Sequence, residues 1–167
     1  MFNQFNSINV LDGNVDLASL KNVKISIVAG KFNSFIVDHL INGCIESLNT
    51  YGITQKQLEL IYVPGAMEIP LAVQNVIKKH DIDGVVALGC VIRGATPHFD
   101  YVAGECASGL SRLSLEYNKP VGFGVLTTDT IEQAIERAGC KAGNKGGDAA
   151  LAVISMINLI NKLKVEQ

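Results

Sequence analysis

No run in this sequence approaches the roughly 20 consecutive apolar residues that span a bilayer, so a helical membrane anchor is not expected. The opening residues, MFNQFNSINVLDGNVD, lack a basic segment followed by an apolar one, which argues against a secretory leader. An excess of one charge is missing too. Fourteen Lys and Arg stand against 16 Asp and Glu, a net charge of −2, and no basic run breaks the pattern. Nothing of that kind draws nucleic acid or an anionic membrane electrostatically. Cys44, Cys90, Cys106 and Cys140 are far apart and form no C-x-x-C pair. That spacing argues against a metal site and against a disulfide framework, and makes a reducing cytoplasm the expected location.

Apolar residues are plentiful. They make up 48% of 167 residues, with only 18% charged, which excludes disorder and suits one domain around a single core. It also leaves more apolar surface than a lone domain easily hides, so a homo-oligomer is expected. Short apolar runs alternate with amphipathic ones. Val23 to Ala29, Leu58 to Val63, Val85 to Ile92 and Val121 to Leu126 read as strands, being β-branched and bounded by Gly or Pro. The last two are almost continuously apolar, as in parallel strands covered on both faces.

Helices are expected between them. Ser34 to Tyr51 carries Ile36, Leu40, Cys44 and Leu48 down one face, with Gly52 as a stop. Pro70 to His80 begins with a proline suited to a helix start. Phe99 to Tyr117 carries Val102, Cys106, Leu110 and Leu113. Asp129 and Glu132 have capping-box spacing for a helix over Thr130 to Ala138, with Gly139 as its C-cap. A last helix is expected from about Asp148 to Leu163. This order predicts a parallel sheet with helices on both faces and right-handed crossovers. Asn6 to Leu11 reads as a lone edge strand with no partner inside the domain.

In open α/β sheets ligands bind beyond the carboxyl ends of the strands. Each strand here ends in residues that packing does not require: Gly30-Lys31-Phe32-Asn33, Pro64-Gly65-Ala66-Met67-Glu68, Arg93-Gly94-Ala95-Thr96-Pro97-His98-Phe99-Asp100, and Thr127-Thr128-Asp129. These four loops are expected to converge on one pocket. Gly94, Ala95 and Thr96 form a small-residue turn before a helix, which offers backbone N–H groups and a positive dipole end to an anion. No G-x-x-x-x-G-K-[ST] loop occurs, and no G-x-G-x-x-G follows the first strand. A small phosphorylated metabolite therefore fits better than a dinucleotide.

Each of these residues also has a plainer reading. His98 beside the anion turn suits proton transfer, yet a loop histidine is as often a solvated turn residue. His39 and His80, near helix ends, read as structural. Glu68 can favour a helix N-terminus as well as bind a ligand. An aromatic just after a strand, like Phe32, is more often core. Arg137 and Lys141 read by default as C-terminal helix charges, and Cys90 as a small core residue rather than a nucleophile.

Three blocks then carry a resemblance. PGAMEIPLA (Pro64 to Ala72), GCVIRGATPHFDYV (Gly89 to Val102) and IEQAIERAGCKAGNKG (Ile131 to Gly146) together resemble the lumazine synthase family, and the similarity runs from about Val23 to Lys162. The resemblance implies a transferase of riboflavin biosynthesis. It would condense 5-amino-6-(D-ribitylamino)uracil with 3,4-dihydroxy-2-butanone 4-phosphate to 6,7-dimethyl-8-ribityllumazine, with no metal or organic cofactor. Phe32 would stack on the pyrimidine. Ala66, Met67 and Glu68 would hold the ribityl side, while Cys90, Val91 and Ile92 line the ring pocket. Ala95 and Thr96 would bind phosphate, and His98 would transfer protons. Phe123 and Arg137 would come from a neighbouring subunit, with Arg137 on the phosphate and Lys141 and Lys145 as further basic groups. Met67, Cys90 and Phe99 stand where many relatives carry an aromatic, a hydroxyl residue and a tyrosine.

The fold implied is a three-layer α/β/α sandwich, flavodoxin-like, around a four-stranded parallel sheet. The chain 1–167 would be one domain whose first residues, about 1–15, pair with a neighbouring subunit. Members form pentamers, and some build icosahedral shells of twelve pentamers; the short Gly139 to Gly147 connection is similar to that of shell formers. Riboflavin synthase is a further partner the resemblance implies. Three rival readings compare less well: a flavin-binding module without turnover has no use for Thr96, His98 and Arg137 together, an isomerase of phosphorylated sugars does not explain Phe32 and Phe123 as paired ring contacts, and a shell component with vestigial catalysis is to be told apart by activity beside assembly size.

Overall fold

The computed structural model describes residues 11–78 and 81–165. Four parallel strands, β1 (Ile25–Gly30), β2 (Leu58–Val63), β3 (Gly84–Ile92) and β4 (Val121–Thr128), form one sheet in the order β2-β1-β3-β4. Among the described residues five α-helices accompany it: α1 (Ser34–Thr50), α2 (Ile69–Ile77), α3 (His98–Tyr117), α4 (Ile131–Glu136) and α5 (Lys145–Val165). Two short strands, β5 (Ala138–Cys140) and β6 (Gly143–Asn144), pair antiparallel between α4 and α5. The architecture is the expected flavodoxin-like sandwich.

The pleat sends alternate residues to opposite faces, and both faces here are apolar. Ile25, Ile27, Val86 and Leu88 join Leu40, Cys44 and Leu48 of α1 and Val153 and Ile154 of α5 in one buried cluster. Val28, Val85 and Ala87 join Val73 and Ile77 of α2 and Leu110 of α3 in a second. β1 is buried throughout and β3 over all but its last two residues. Each fully buried aliphatic side chain contributes roughly 1.5–3 kcal/mol relative to exposure, so the two central strands anchor both layers. The edge strands are less covered: Leu60 and Tyr62 of β2 and Phe123 of β4 face outward in the isolated protomer.

Two expectations at α4 are corrected. Thr130, one residue after Asp129, is the N-cap: its hydroxyl accepts from the Gln133 N–H at 3.2 Å, and the Gln133 side chain accepts from the Asp129 N–H at 2.9 Å. The Asp129 carboxylate is engaged elsewhere, 2.9 Å from Arg93 Nε. The helix then stops at Glu136 because the chain turns into β5, and Gly139, at φ +111°, lies inside that strand rather than capping a helix. The last helix starts earlier than expected, at Lys145. Asn144 makes this start, its side-chain oxygen accepting from the N–H groups of Gly146 (2.9 Å) and Gly147 (3.3 Å).

His39 sits exposed on α1, its ring edge-on to Phe35 at 5.5 Å. His80 and all but Leu11 of the expected strand Asn6 to Leu11 lie outside the described residues. Residues 12–15 run along α5, where Lys162 Nζ donates to Asp12 O at 3.1 Å and Asn158 Nδ2 donates to Asn14 O. Among the described residues no helix is long and apolar enough to cross a membrane.

α1 and α5 cross in contact at Gly146, where a Cβ would stand 2.1 Å from the Leu40 carbonyl oxygen. That oxygen is backbone and cannot swing aside. Gly146→Ala should therefore force the helices apart and cost about 1–3 kcal/mol or more, read as a lower urea midpoint with an unchanged slope. A midpoint equal to the parent's would contradict the crossing.

Candidate active site

The carboxyl ends of β1, β2 and β3 surround a cleft of about 700 Å³. Its first wall is the β1 loop, whose Lys31 and Phe32 N–H groups donate to Val63 O (2.8 Å) and Pro64 O (3.1 Å) of the neighbouring strand end. Asn33 then takes a left-handed conformation (φ 58°) and starts α1, while its Nδ2 donates to Cys90 O at 3.0 Å. These bonds hold Phe32 at the cleft, 70% exposed. The core reading of Phe32 is thereby excluded.

The β2 loop supplies Ala66, Met67 and Glu68. One Glu68 oxygen accepts from the Gly65 N–H at 2.9 Å, so this carboxylate braces its own helix start and also lines the cleft. The floor is Cys90, Val91 and Ile92 at the end of β3, and the far wall is Gly94, Thr96 and His98. Ala95 lies on the same exposed turn, between Gly94 and Thr96. His98 is the first residue of α3, exposed, and no side chain caps the helix there, so a positive dipole end faces the turn.

Phe123 and Arg137 do not line this cleft. Phe123 is 45% exposed on the edge strand β4, beside a shallower hollow with Leu115 and Val121. Arg137 is the C-cap of α4, half-buried, its NH1 donating to Gln133 O at 3.0 Å. Lys145 opens α5 and pairs with Asp148 at 2.6 Å, and Lys141 is exposed on the turn between β5 and β6.

The expected convergence of four loops holds for three. The fourth segment, Thr127 to Asp129, stays off the cleft: Thr127 and Thr128 complete β4, and Asp129 contributes instead through its pair with Arg93. Thr128 is buried, its hydroxyl donating to Thr130 O at 3.0 Å, so it is structural.

Three residues to which the local pattern assigned no role also belong to the site. Tyr101 is 70% exposed and lines the cleft; its place three residues after His98, on the same helical face, was a usable signal. Asn33 and Arg93 act through long-range partners that no local pattern announces. Among the described residues no three His, Cys, Asp or Glu side chains gather as a metal site would need.

Such a cleft can hold a flat ring against Phe32, hydroxyl groups at Glu68 and an anion at the Gly94–Thr96 turn, with a proton carrier at His98. A thiol nucleophile is not on offer: burial pushes Cys90 up to about 11, against a smaller lowering by its contact with Asn33.

The family model described as 6,7-dimethyl-8-ribityllumazine synthase matches residues 22–161, a span that contains the whole sheet and every residue of the cleft.

Burial likewise pushes Cys44 up to about 12 and Cys106 up to about 11. At pH 8 a thiol of pKa 11 is ionised to roughly one part in a thousand. Iodoacetamide on the native protein should thus leave Cys44, Cys90 and Cys106 unmodified until denaturant is added, as peptide mass spectrometry would show. Fast native alkylation of Cys90 would remove the inert-thiol assignment.

Proposed function

Because the chain belongs to the 6,7-dimethyl-8-ribityllumazine synthase family, an enzyme family of transferases in riboflavin biosynthesis, we propose that it condenses 5-amino-6-(D-ribitylamino)uracil with 3,4-dihydroxy-2-butanone 4-phosphate. The products are 6,7-dimethyl-8-ribityllumazine, phosphate and two waters. The observation that carries this reading is the gathering of Phe32, Glu68, Thr96 and His98 around one cleft from three separate strand ends.

In this reading the pyrimidine stacks on Phe32 against the floor of Cys90, Val91 and Ile92. Its ribityl hydroxyls meet Ala66, Met67 and the Glu68 carboxylate. The phosphorylated ketone lies toward Ala95 and Thr96, whose turn and helix end suit a phosphate. The pyrimidine amine attacks the ketone carbonyl, and loss of water leaves an imine. Phosphate then departs, and the new carbonyl closes on the ribitylamino nitrogen with loss of the second water. His98 moves the protons at the amine and at the departing water. The substrate brings its own nucleophile, so the protein's share is orientation and charge stabilisation at the leaving phosphate. That division agrees with a site whose thiol, Cys90, burial keeps protonated.

Phe123 and Arg137 are assigned to the cleft of an adjacent copy, with Arg137 on the phosphate. Their exposed or half-buried positions away from their own cleft support this. The protein is accordingly read as one domain acting in a pentamer, with residues 1 to about 15 an arm toward a neighbour. A shell of twelve pentamers, a cytoplasmic location and riboflavin synthase as a partner belong to the same reading.

Incubating purified protein with both substrates and following lumazine absorbance and fluorescence tests it; no product above the uncatalysed rate would end it. In that assay His98→Ala should lower kcat about a hundredfold with assembly intact, and a parental rate across the pH range would dismiss His98. Arg137→Ala should raise KM for the phosphorylated ketone about tenfold or more, the worth of a charged hydrogen bond. A change confined to pyrimidine affinity would place Arg137 elsewhere.

A further inference from the structure

The Gly94–Ala95–Thr96 turn is thinly supported. Its residues are exposed, nothing stands within 4 Å of where a Gly94 Cβ would lie, and none of the three makes a hydrogen bond to another described residue. Yet the proposed function asks this turn to hold an anion at a fixed place beside His98. What fixes it lies at its ends, and one side chain reaches both.

Arg93 enters the turn with its N–H donating to Thr128 O at 2.8 Å. Its guanidinium then bonds Asp129 through Nε at 2.9 Å and lies 3.1 Å from an Asp100 oxygen through NH1. The same group covers the Phe99 ring, 4.1 Å from its centre. Phe99 and Asp100 belong to the first turn of α3, immediately after His98. We propose that Arg93 is a positioning residue: its side chain clasps the two ends of the anion turn together and pins them to the loop after β4, and so sets Thr96 and His98 at the cleft.

The chemistry selects arginine. A planar guanidinium can bond two carboxylates along different edges while its face stacks on an aromatic ring; an ammonium can satisfy one carboxylate and has no face to stack. The two aspartates also offset its charge and take up its Nε and NH1 donors, and none of these three side chains lines the cleft. Arg93 thus acts through the turn and does not serve as an anion ligand. The loop after β4, which lines no part of the cleft, acquires a role as the clasp's anchor. This inference rests on the functional reading above only for what the turn binds; the clasp itself stands on the geometry.

The test compares Arg93→Ala, Arg93→Lys and Asp129→Asn with the parent. With Arg93→Ala, KM for the phosphorylated ketone should rise and kcat should fall, each about tenfold, since small misplacements of reacting groups cost up to about a hundredfold. KM for the pyrimidine should stay within about twofold. Exposed ion pairs contribute little to global stability, so the melting temperature should move by no more than about 4 °C. Arg93→Lys should recover part of the loss, and Asp129→Asn should shift both constants in the same direction as Arg93→Ala. Independently of turnover, amide hydrogen exchange at Tyr101, Val102 and Ala103 should quicken in Arg93→Ala as the first turn of α3 frays. Parental kinetics and exchange in Arg93→Ala would overturn the proposal. So would a lower KM for the phosphorylated ketone in Asp129→Asn, which would make Arg93 a direct ligand that the aspartate restrains. Should the parent itself form no lumazine, the functional reading fails, while the exchange measurement still decides the clasp.

Discussion

Burial of both faces of β1 and β3 is the constraint from which the rest of the structure follows. A parallel pair cannot be closed by a tight turn, so each return to the sheet needs a crossover, and helices cover both faces. Once Ile25, Ile27, Val86 and Leu88 are committed to one layer and Val28, Val85 and Ala87 to the other, the sides of the central strands have no room for a ligand. Only their ends are open. At the carboxyl ends the outgoing loops must still satisfy their backbone groups, and they do so by bonding one another: Lys31 to Val63, Phe32 to Pro64, Asn33 to Cys90 and Arg93 to Thr128. The cleft is the space those cross-links leave.

The residues around it divide into those that face the cleft and those that hold the others still. Phe32, Met67, Thr96, His98 and Tyr101 are exposed and face it. Asn33, Arg93 and Asp129 are committed to protein partners, and Glu68 does both, bracing Gly65 with one oxygen. Preorganised donors are effective because they need not reorganise during reaction, and a second layer of bonds keeps them so. The sheet edges carry a different character. Leu60, Tyr62 and Phe123 leave apolar surface uncovered on a single protomer, which agrees with an assembly in which Phe123 and Arg137 complete the cleft of a neighbour.

Much of this was legible in the residues. Periodicity located the four strands to within a few residues because a buried parallel strand tolerates little but aliphatic side chains, and the row Ile36, Leu40, Cys44, Leu48 could be buried only as one face of a helix. The cleft residues stood out for the opposite reason: Phe32, Glu68 and His98 sit beside strand ends where packing asks for nothing of their kind. Errors arose where two local solutions compete. Asp129 and Thr130 are both good caps, one residue apart with equivalent partners downstream, and a distant arginine decided between them. Gly139 suits a helix end or a strand equally until its pairing with residues 143–144 is known.

By itself the sequence determined the α/β class, the strand ends that border the cleft and the family, since each depends on residue types at short spacing. The tertiary structure alone decided which loops share the cleft, that Phe32 is exposed, that Arg93 is bound to Asp100 and Asp129, and that Phe123 and Arg137 lie apart from their own site. These are relations between segments dozens of residues apart, set by strand order and by partners that meet only after the sheet has formed, and no local pattern of side chains encodes a distance.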